Sequence, residues 1–200
     1  VSSAASDVYK RQELPGYKPT LDPNPKMIQQ AANLIKNSKK PILYVGGGII
    51  HSKANKELFD LATKFNIPVV TTLMGRGAFP DGHELCLEMP GMHGNYTATT
   101  SIQKSDLLIA IGVRFDDRVT ANPSFFAQNA KVIHADIDPA EIGKVREAQV
   151  PIVGDAKSVI LGLIEALQDE ELDTKNWINE LNSMKTEHPL SYNQDENGPL

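Results

Sequence analysis

The stretch LLIAIGVRFDDRVT, residues 107–120, decides the predicted fold, because five apolar residues run without a break into a glycine and then into charged residues. A short continuous apolar run is typical of a strand buried on both faces, as strands of a parallel sheet are. The stretch VIHADIDPAEIGK, residues 132–144, repeats the pattern. Ligands bind outside the carboxyl ends of strands in such sheets, so we expect both sets of charged side chains at one ligand-binding edge.

Outward from these two stretches, short apolar runs alternate with segments of helical periodicity. Strands are predicted at 41–45, 67–70 and 151–153, and helices after Asn24 as N-cap, over 54–65, 95–104 and 139–147, after Asp155, and from Trp177 to Met184. Alternating strands and helices with short connections predict an α/β fold. We expect a doubly wound, mostly parallel, Rossmann-like sheet with helices on both faces.

Length and composition exclude several classes of protein. The 200 residues carry a formal net charge of −5 with scattered basic residues, which argues against a nucleic-acid partner. Nothing in the sequence approaches the ~18 consecutive apolar residues of a membrane span. Cys86 is the single cysteine, so no intramolecular disulfide can form and a reducing compartment is expected. The composition predicts a cytoplasmic protein with neither a nucleic-acid nor a membrane partner.

The ends of the chain differ from its middle. Residues 1–12 are polar and aperiodic and are interpreted as a foreign or disordered tail. Residues 13–25 contain four prolines, which favours an extended linker. The predicted domain covers residues 26–168, and residues 169–200 are predicted to form a helix and a further linker.

Two loops after predicted strands carry candidate ligand contacts. Gly47 and Gly48, in a run of three glycines, could let a ligand approach the backbone; the alternative is a tight turn between strand and helix. The run lacks the G-x-G-x-x-G spacing, which disfavours a nicotinamide site. Thr72, Leu73 and Met74 leave the next strand at the same edge, where the alternative is an ordinary strand end.

Charged and polar side chains form a second group of candidates. His93 lies just before a predicted helix, where it could face an anion, although a histidine in a glycine-bounded turn is more often structural. Arg114 follows a buried strand directly, and a guanidinium suits bidentate phosphate binding. Asp136 ends the next strand, where a carboxylate suits ribose hydroxyls, and Asp155 is a weaker candidate of the same kind.

Two of the charged patterns have structural alternatives. Asp116 and Asp117 beside Arg118 could be no more than a local ion pair. Asp136 and Asp138 could chelate a divalent cation, but such a site needs several more oxygens, and Asp138 before a proline suits a helix cap. We therefore predict no metal site, and the residues by themselves favour nucleotide binding over catalysis.

Six motifs, in this order, resemble the catalytic subunits of the acetohydroxyacid synthase family, also called acetolactate synthases. They are KPILYVGGG from Lys40, VVTTLMG from Val69, GMHG from Gly91, RFDDRVT from Arg114, DIDPAEIGK from Asp136 and VPIVGD from Val150. The resemblance runs from about residue 13 to the end of the chain. It corresponds to the family's middle domain, a thiamine-enzyme middle domain, with the linkers on both sides.

The resemblance implies an activity for the whole enzyme. The family uses thiamine diphosphate and Mg²⁺ to condense two pyruvates, or pyruvate with 2-oxobutyrate, to a 2-acetohydroxyacid with release of CO₂. This reaction belongs to branched-chain amino-acid biosynthesis, which leads to isoleucine and valine. The middle domain binds FAD without a net redox role. The family also implies a homo-oligomer with a regulatory small subunit, in the cytoplasm or, in eukaryotes, in a plastid or mitochondrion.

The resemblance also implies roles for individual residues. The residues expected to line FAD are Gly47, Gly48, Thr72, Leu73, Met74, His93, Arg114, Asp136, Ile137 and Asp155. Arg118 is expected at the mouth of the substrate channel, with Met92 and Asp117 close by. No catalytic residue is expected in this fragment, because the thiamine-activating glutamate and the Gly-Asp-Gly motif with its downstream Asn belong to the family's other domains.

One departure from the family and two other functions stay open. The residues Ala121-Asn-Pro123 stand where the family has Gly-Lys after Arg-Val-Thr, which leaves the loop after Thr120 undetermined. The chain could instead be the middle domain of another thiamine-dependent carboligase, decarboxylase or oxidase, or a nucleotide-binding module without chemistry. The Arg-Phe-Asp-Asp-Arg and Gly-Met-His-Gly motifs favour the synthase.

Overall fold

Five strands form one parallel sheet, in the order β2-β1-β3-β4-β5. The computed structural model describes Gly16 and residues 18–168 and 170–190; the expectations for residues 1–12, and in part for 13–25 and 169–200, lie outside them. The strands are β1 (Pro41–Val45), β2 (Val69–Thr71), β3 (Leu107–Ile111), β4 (Lys131–Asp136) and β5 (Val150–Val153). All four neighbouring pairs are parallel, as the sequence predicts.

Helices connect the strands and cover the sheet. They are α1 (Pro25–Lys36), α2 (Gly47–His51), α3 (Asn55–Phe65), α4 (Tyr96–Lys104), α5 (Asp117–Thr120), α6 (Ala156–Leu167) and α7 (Lys175–Glu187), with 3-10 turns at Leu73–Gly75 and Pro123–Phe125. Among the described residues, no helix is long and apolar enough to cross a membrane.

The first helix shows how local sequence sets an element. The side chain of Asn24 accepts a 2.9 Å hydrogen bond from the N–H of Lys26, which satisfies a free donor of the first turn. Pro25 occupies a position where its missing N–H costs nothing. The apolar residues that follow at helical spacing are buried: Ile28, Ala31, Ala32 and Ile35.

The sheet separates two apolar cores. Because side chains alternate along a strand, Leu43 and Ile109 face the core under α1, α3 and α6, whereas Ile42 and Leu108 face the core under α4 and α7. Each core is continuous across the sheet. The fold is therefore α/β and doubly wound, with helices on both faces, as predicted.

The helix α7 is part of this packed unit. Trp177 is buried in the second core, and its indole Nε1 donates a 3.2 Å hydrogen bond to the carbonyl of Pro41 at the start of β1. Leu181 and Met184 are buried beside it. The compact fold thus continues beyond residue 168 to the end of α7.

The segment after β4 corrects one secondary-structure prediction. A short helix is expected over 139–147, but the chain there forms turns. Gly143 has a left-handed φ of +75°, and its N–H bonds the ring of His134. The guanidinium of Arg146 donates to the carbonyls of Ala127 and Ala130, each at 3.2 Å. The left-handed φ of Gly143 is incompatible with a continuous helix, and the hydrogen bonds to His134, Ala127 and Ala130 hold the segment in turns.

The free side of β2 is covered by residues 85–88. The N–H of Val69 donates to Leu85 at 2.8 Å, and the carbonyl of Val69 accepts from Leu87 at 2.8 Å. Thr71 donates to Glu88 in the same way, at 2.9 Å. This segment therefore lies along β2 as a short parallel neighbour.

Candidate nucleotide-binding edge

The carboxyl ends of β1 and β3 meet where the strand order reverses. In a sheet of order 2-1-3-4-5 the crevice between these two strands is the usual ligand-binding position. Gly48 and Gly112 close the floor of that crevice, since the N–H of Gly48 donates to the carbonyl of Gly112 at 3.2 Å. A Cβ on Gly48 would lie 2.6 Å from the Cα of Gly112, so only glycine fits there.

This contact changes the interpretation of the glycine run. The amide of Gly48 is already bonded inside the protein, so it is not available to a phosphate. The run also begins α2, a five-residue helix where only a turn is expected from the sequence. Gly47 is half-buried, and a Cβ there would contact the side chain of Met74 at 3.4 Å. Of these two glycines, Gly47 is therefore the one whose surface a ligand could contact.

The loop after β2 presents apolar groups to the same edge. The hydroxyl of Thr72 accepts a 3.1 Å hydrogen bond from the N–H of Gly75 and so caps a 3-10 turn. Leu73 and Met74, within that turn, are 70% and 71% exposed. Two large apolar side chains are therefore presented side by side at this edge, where they could contact a ligand.

Phe115 fixes the charged segment that follows β3. This residue is buried although its backbone has a left-handed φ of +52°. Its ring lies 4.9 Å from that of His134, 5.6 Å from that of Tyr44 and 6.1 Å from that of Phe126. Because Phe115 points into the core, Arg114 before it is exposed, at the edge where a phosphate contact is expected from the sequence.

Arg118 forms the local ion pair that was the structural alternative for this motif. Its Nη1 lies 3.1 Å from Oδ1 of Asp116 and 3.0 Å from Oδ1 of Asp117; Arg118 and Asp117 are largely exposed, and Asp116 is less than half exposed. The pKa of the Asp116 carboxyl is lowered, first because the backbone N–H of Arg118 donates to it and then because the guanidinium does. Asp116 and Asp117 therefore orient Arg118 at the surface.

The loop with Met92 and His93 packs against the same segment. The N–H of Met92 donates to the carbonyl of Arg118 at 3.1 Å. Gly91 has a φ of +101°, and a Cβ there would lie 2.6 Å from the same carbonyl. The structure thus brings Met92 and Arg118 together. The side chain of Met92 is 76% exposed, and His93 is exposed as well.

Asp136 ends the neighbouring strand β4 and Ile137 follows it, and both residues are half-buried. One carboxylate oxygen of Asp136 accepts from the N–H of Asp138 at 2.9 Å, and burial raises the pKa of this group. Asp138 accepts from the N–H of Ala140 at 2.9 Å, so it caps a turn where a helix was expected. Since Ala135 pairs with Ile111, Asp136 and Arg114 lie at the carboxyl ends of adjacent strands.

Asp155 has a structural duty at the end of β5. One oxygen of its half-buried carboxylate accepts from the N–H of Lys157 at 3.0 Å and caps α6. Its second oxygen makes no hydrogen bond within residues 18–168 and 170–190. The carboxylate could therefore serve a ligand with one oxygen while capping the helix with the other.

His134 is the residue that sequence reasoning missed. It lies inside β4, is 1% exposed, and contacts the segments after both β3 and β4. In the sequence, His134 falls within an apolar run and is predicted as part of a buried strand. The available signal was a polar ring within a strand otherwise buried among aliphatic residues, which requires hydrogen-bond partners.

The edge as a whole combines two kinds of group. Arg114 and Arg118 supply cations after β3, and Asp136 supplies a carboxylate after β4. This pairing suits a ligand with both phosphate and ribose groups. Within the described part of the chain, no cluster of three or more His, Cys, Asp or Glu side chains could hold a metal ion. A groove of about 850 Å³ lies elsewhere, between α1 and α6.

Comparisons with known proteins place the chain among enzymes. Residues 28–163 match the family described as "Thiamine pyrophosphate enzyme, central domain". The chain is 54% identical over 194 residues to "Acetolactate synthase" of Mycobacterium avium, covering 95% of this chain and 31% of that protein. For "Acetolactate synthase large subunit" of Corynebacterium glutamicum the identity is 51%, covering 91% and 30%. For "Acetolactate synthase 1, chloroplastic" of Nicotiana tabacum it is 47%, covering 90% and 27%. The chain spans less than a third of the length of these relatives.

Proposed function

Because the chain belongs to the thiamine pyrophosphate enzymes, as their central domain, we propose that it is part of an acetolactate synthase large subunit. The observation that carries this proposal is the 54% identity, over nearly the whole chain, to a protein of that name. The parent enzyme would condense two pyruvates, or pyruvate with 2-oxobutyrate, to a 2-acetohydroxyacid. Thiamine diphosphate and Mg²⁺, held by other parts of the enzyme, would supply the chemistry of decarboxylation.

The proposed role of this domain is to bind FAD across the carboxyl ends of its strands. The donor set fits a dinucleotide: Arg114 is an exposed cation beside the crevice, and Asp136 is a half-buried carboxylate on the next strand. Arg114 would bind the diphosphate, while Asp136 and Ile137 would bind the ribose side. Leu73 and Met74, both exposed, would cover an apolar ring.

The remaining candidates would complete the rim of this site. Gly47 leaves room beside Met74, Thr72 stands at the start of the same turn, and Asp155 retains one carboxylate oxygen. His93 is exposed just before α4, where it could face the anion. Gly48 would act indirectly, by closing the crevice floor.

Arg118 has a separate proposed role. Its side chain is 74% exposed, and it is oriented by Asp116 and Asp117 beside Met92. We assign Arg118, Met92 and Asp117 to the entrance of the substrate channel, where a guanidinium would attract a 2-oxoacid carboxylate. The parent enzyme would be a homo-oligomer with a regulatory small subunit, in the cytoplasm, or in a plastid or mitochondrion of a eukaryote.

A flavin titration of the full-length protein tests this assignment. We expect Arg114→Ala to weaken FAD binding about 10-fold or more, because a charged hydrogen bond to phosphate is lost. Lys131→Ala is the matched control, because Lys131 is exposed at the opposite end of β4. Arg118→Ala should retain FAD and raise the KM for pyruvate. If the Arg114 and Lys131 variants bind FAD equally well, Arg114 does not belong to the site. If Arg118→Ala loses FAD but keeps normal turnover, Arg118 contacts the flavin and not the substrate.

A further inference from the structure

The buried imidazole of His134 lies between the two segments that carry the proposed flavin contacts. Its Nε2 lies 2.9 Å from the carbonyl of Val113, immediately before Arg114. Its Nδ1 accepts a 3.4 Å hydrogen bond from the N–H of Gly143, in the loop that follows Asp136. One side chain therefore bonds to the backbone of both segments.

These partners fix the protonation state of the ring. The amide of Gly143 can only donate, so Nδ1 must be an unprotonated acceptor. The carbonyl of Val113 can only accept, so Nε2 must carry the proton. The neutral ring with its proton on Nε2 satisfies both bonds, whereas the imidazolium would direct a second N–H at the amide of Gly143.

A third contact extends this effect to Arg114. The ring of Phe115 stands edge-on to that of His134, with centroids 4.9 Å apart and planes at 87°. His134 thus contacts the residues on both sides of Arg114, through the carbonyl of Val113 and the ring of Phe115. A left-handed φ at Phe115 is costly unless its surroundings hold it, and His134 is one of the groups that do so.

We propose that neutral His134 is a positioning residue that holds the segment of Arg114 and the loop Asp136–Gly143 at fixed positions relative to each other. We propose further that protonation of His134 breaks this connection and weakens flavin binding. The second part rests on the proposed flavin site. His134 itself is too deeply buried to contact the cofactor. Its effect on binding is transmitted through the backbone at Val113 and Gly143.

The pH range follows from the surroundings of the ring. Burial lowers the pKa of His134, although the carbonyl of Val113 and the carboxylates of Asp136 and Glu141 act in the opposite direction. On the neighbouring strands, Ala110 and Pro151 pair with His134 and carry no charge. Because the pKa of His134 in the folded protein is lowered from its ordinary value of about 6.5, the ring is neutral at pH 7.5 and becomes protonated only as the pH falls through that lowered pKa.

Three variants of the full-length protein separate positioning from packing. His134→Phe keeps an aromatic ring and removes both hydrogen bonds. His134→Gln keeps an amide donor for the carbonyl of Val113 and cannot titrate. His83→Phe is the matched control, because His83 also accepts a backbone N–H, from Leu85, and packs edge-on to a phenylalanine, but it lies beside β2 near its start.

FAD affinity is measured from pH 7.5 to 5.5, and backbone hydrogen exchange of peptides covering 113–118 and 137–146 is measured without FAD. We expect the wild-type Kd for FAD to be constant near pH 7.5 and to rise about 5-fold or more once the pH falls through the lowered pKa of His134, as one or two hydrogen bonds are lost. His134→Phe should bind about 10-fold more weakly at pH 7.5, with faster exchange in both peptides. His134→Gln should restore most of the affinity and show a flat pH profile, and His83→Phe should behave as wild type.

The outcomes distinguish this proposal from the proposed flavin site. Wild-type exchange rates and FAD affinity in His134→Phe would overturn the positioning role. A pH dependence that persists in His134→Gln would assign the titration to Asp136 instead and overturn the protonation step. If the wild-type protein binds no FAD at pH 7.5, the flavin site is lost, and the exchange rates still decide whether His134 positions the two segments.

Discussion

The N–H of Gly48 and the carbonyl of Gly112 are joined by a 3.2 Å hydrogen bond that ties the end of β1 to the end of β3. The backbones meet there so closely that neither residue can carry a side chain: a Cβ on Gly112 would lie 2.6 Å from the Cα of Gly48. The strand ends that define the crevice are therefore held at a fixed separation by backbone contact.

This contact makes Gly48→Ala destabilising. The added methyl group must push β1 and β3 apart, and overpacking of this kind costs roughly 1–3 kcal/mol. We expect a lower midpoint in urea unfolding followed by circular dichroism. Gly82→Ala is the control, because a Cβ there meets nothing within 4 Å, and it should stay within about 0.5 kcal/mol of wild type. Equal midpoints for the two variants would contradict the close contact.

Trp177 should contribute strongly to stability through α7. Trp177→Ala removes a large buried side chain and should cost about 3–5 kcal/mol. Trp177→Phe preserves most of the apolar contact but leaves the carbonyl of Pro41 without its donor, so we expect it to lower the free energy of unfolding by about 1–3 kcal/mol. Leu161→Ala, at a half-exposed position on α6, is the control. If Trp177→Phe and Leu161→Ala have the same midpoint in urea unfolding, the hydrogen bond to Pro41 contributes nothing to stability.

Asp155 should have two separable functions. Asp155→Ser keeps an N-cap oxygen for α6, so its melting temperature should match wild type, whereas Asp155→Ala should lose about 1 kcal/mol. In the full-length protein, both variants lack the second carboxylate oxygen, so both should bind FAD more weakly. Unchanged FAD affinity in the Ser variant would restrict Asp155 to capping.

The ion pair between α3 and α6 predicts a pH dependence of stability. The Nζ of Lys157 lies 2.8 Å from Oε1 of Glu57, and the side chain of Glu57 is only 14% exposed. The hydrogen bond from Lys157 is the largest cause that lowers the pKa of Glu57. A depressed carboxylate pKa contributes stability that is present above about 4.3 and is lost as the pH falls through the folded-state pKa.

Lys157→Met should therefore lower the melting temperature by about 2–4 °C at pH 7, and the difference from wild type should shrink below about pH 4. Lys39→Met is the control, because the pair of Lys39 with Asp173 has both side chains about two-thirds exposed. A Lys157 deficit that is the same at pH 7 and pH 3 would mean that lost packing, rather than the charge, is responsible.

The sequence predicts the elements whose signals are local. The apolar run of β3 has the predicted bounds, Leu107–Ile111, and the cap at Asn24 begins α1 as expected. Parallel pairing and the two-sided arrangement of helices follow from the same alternation of elements. Arg114 and Asp136 lie at the carboxyl ends of adjacent strands because apolar runs end where buried strands do.

Features that depend on distant contacts could not be predicted in this way. Asp138 and the following proline favour a helix locally, but the bond from Gly143 to His134 and the anchors of Arg146 impose turns. The amide of Gly48 looks available in sequence, yet its partner, Gly112, is 64 positions away along the chain and adjacent only in the fold. That His134 connects two segments follows only from its hydrogen-bond partners, Val113 and Gly143, which the fold brings to it.

The segment at residues 85–88 has a consequence for how this protein associates with others. An unpaired edge strand is a template on which other chains can add strands and aggregate. The outer N–H groups of Val69 and Thr71 are already occupied by Leu85 and Glu88. Another chain therefore cannot add a strand directly onto β2, and contacts that neighbouring domains or subunits make with β2 would use its side chains, which can be specific, rather than backbone pairing, which accepts almost any sequence.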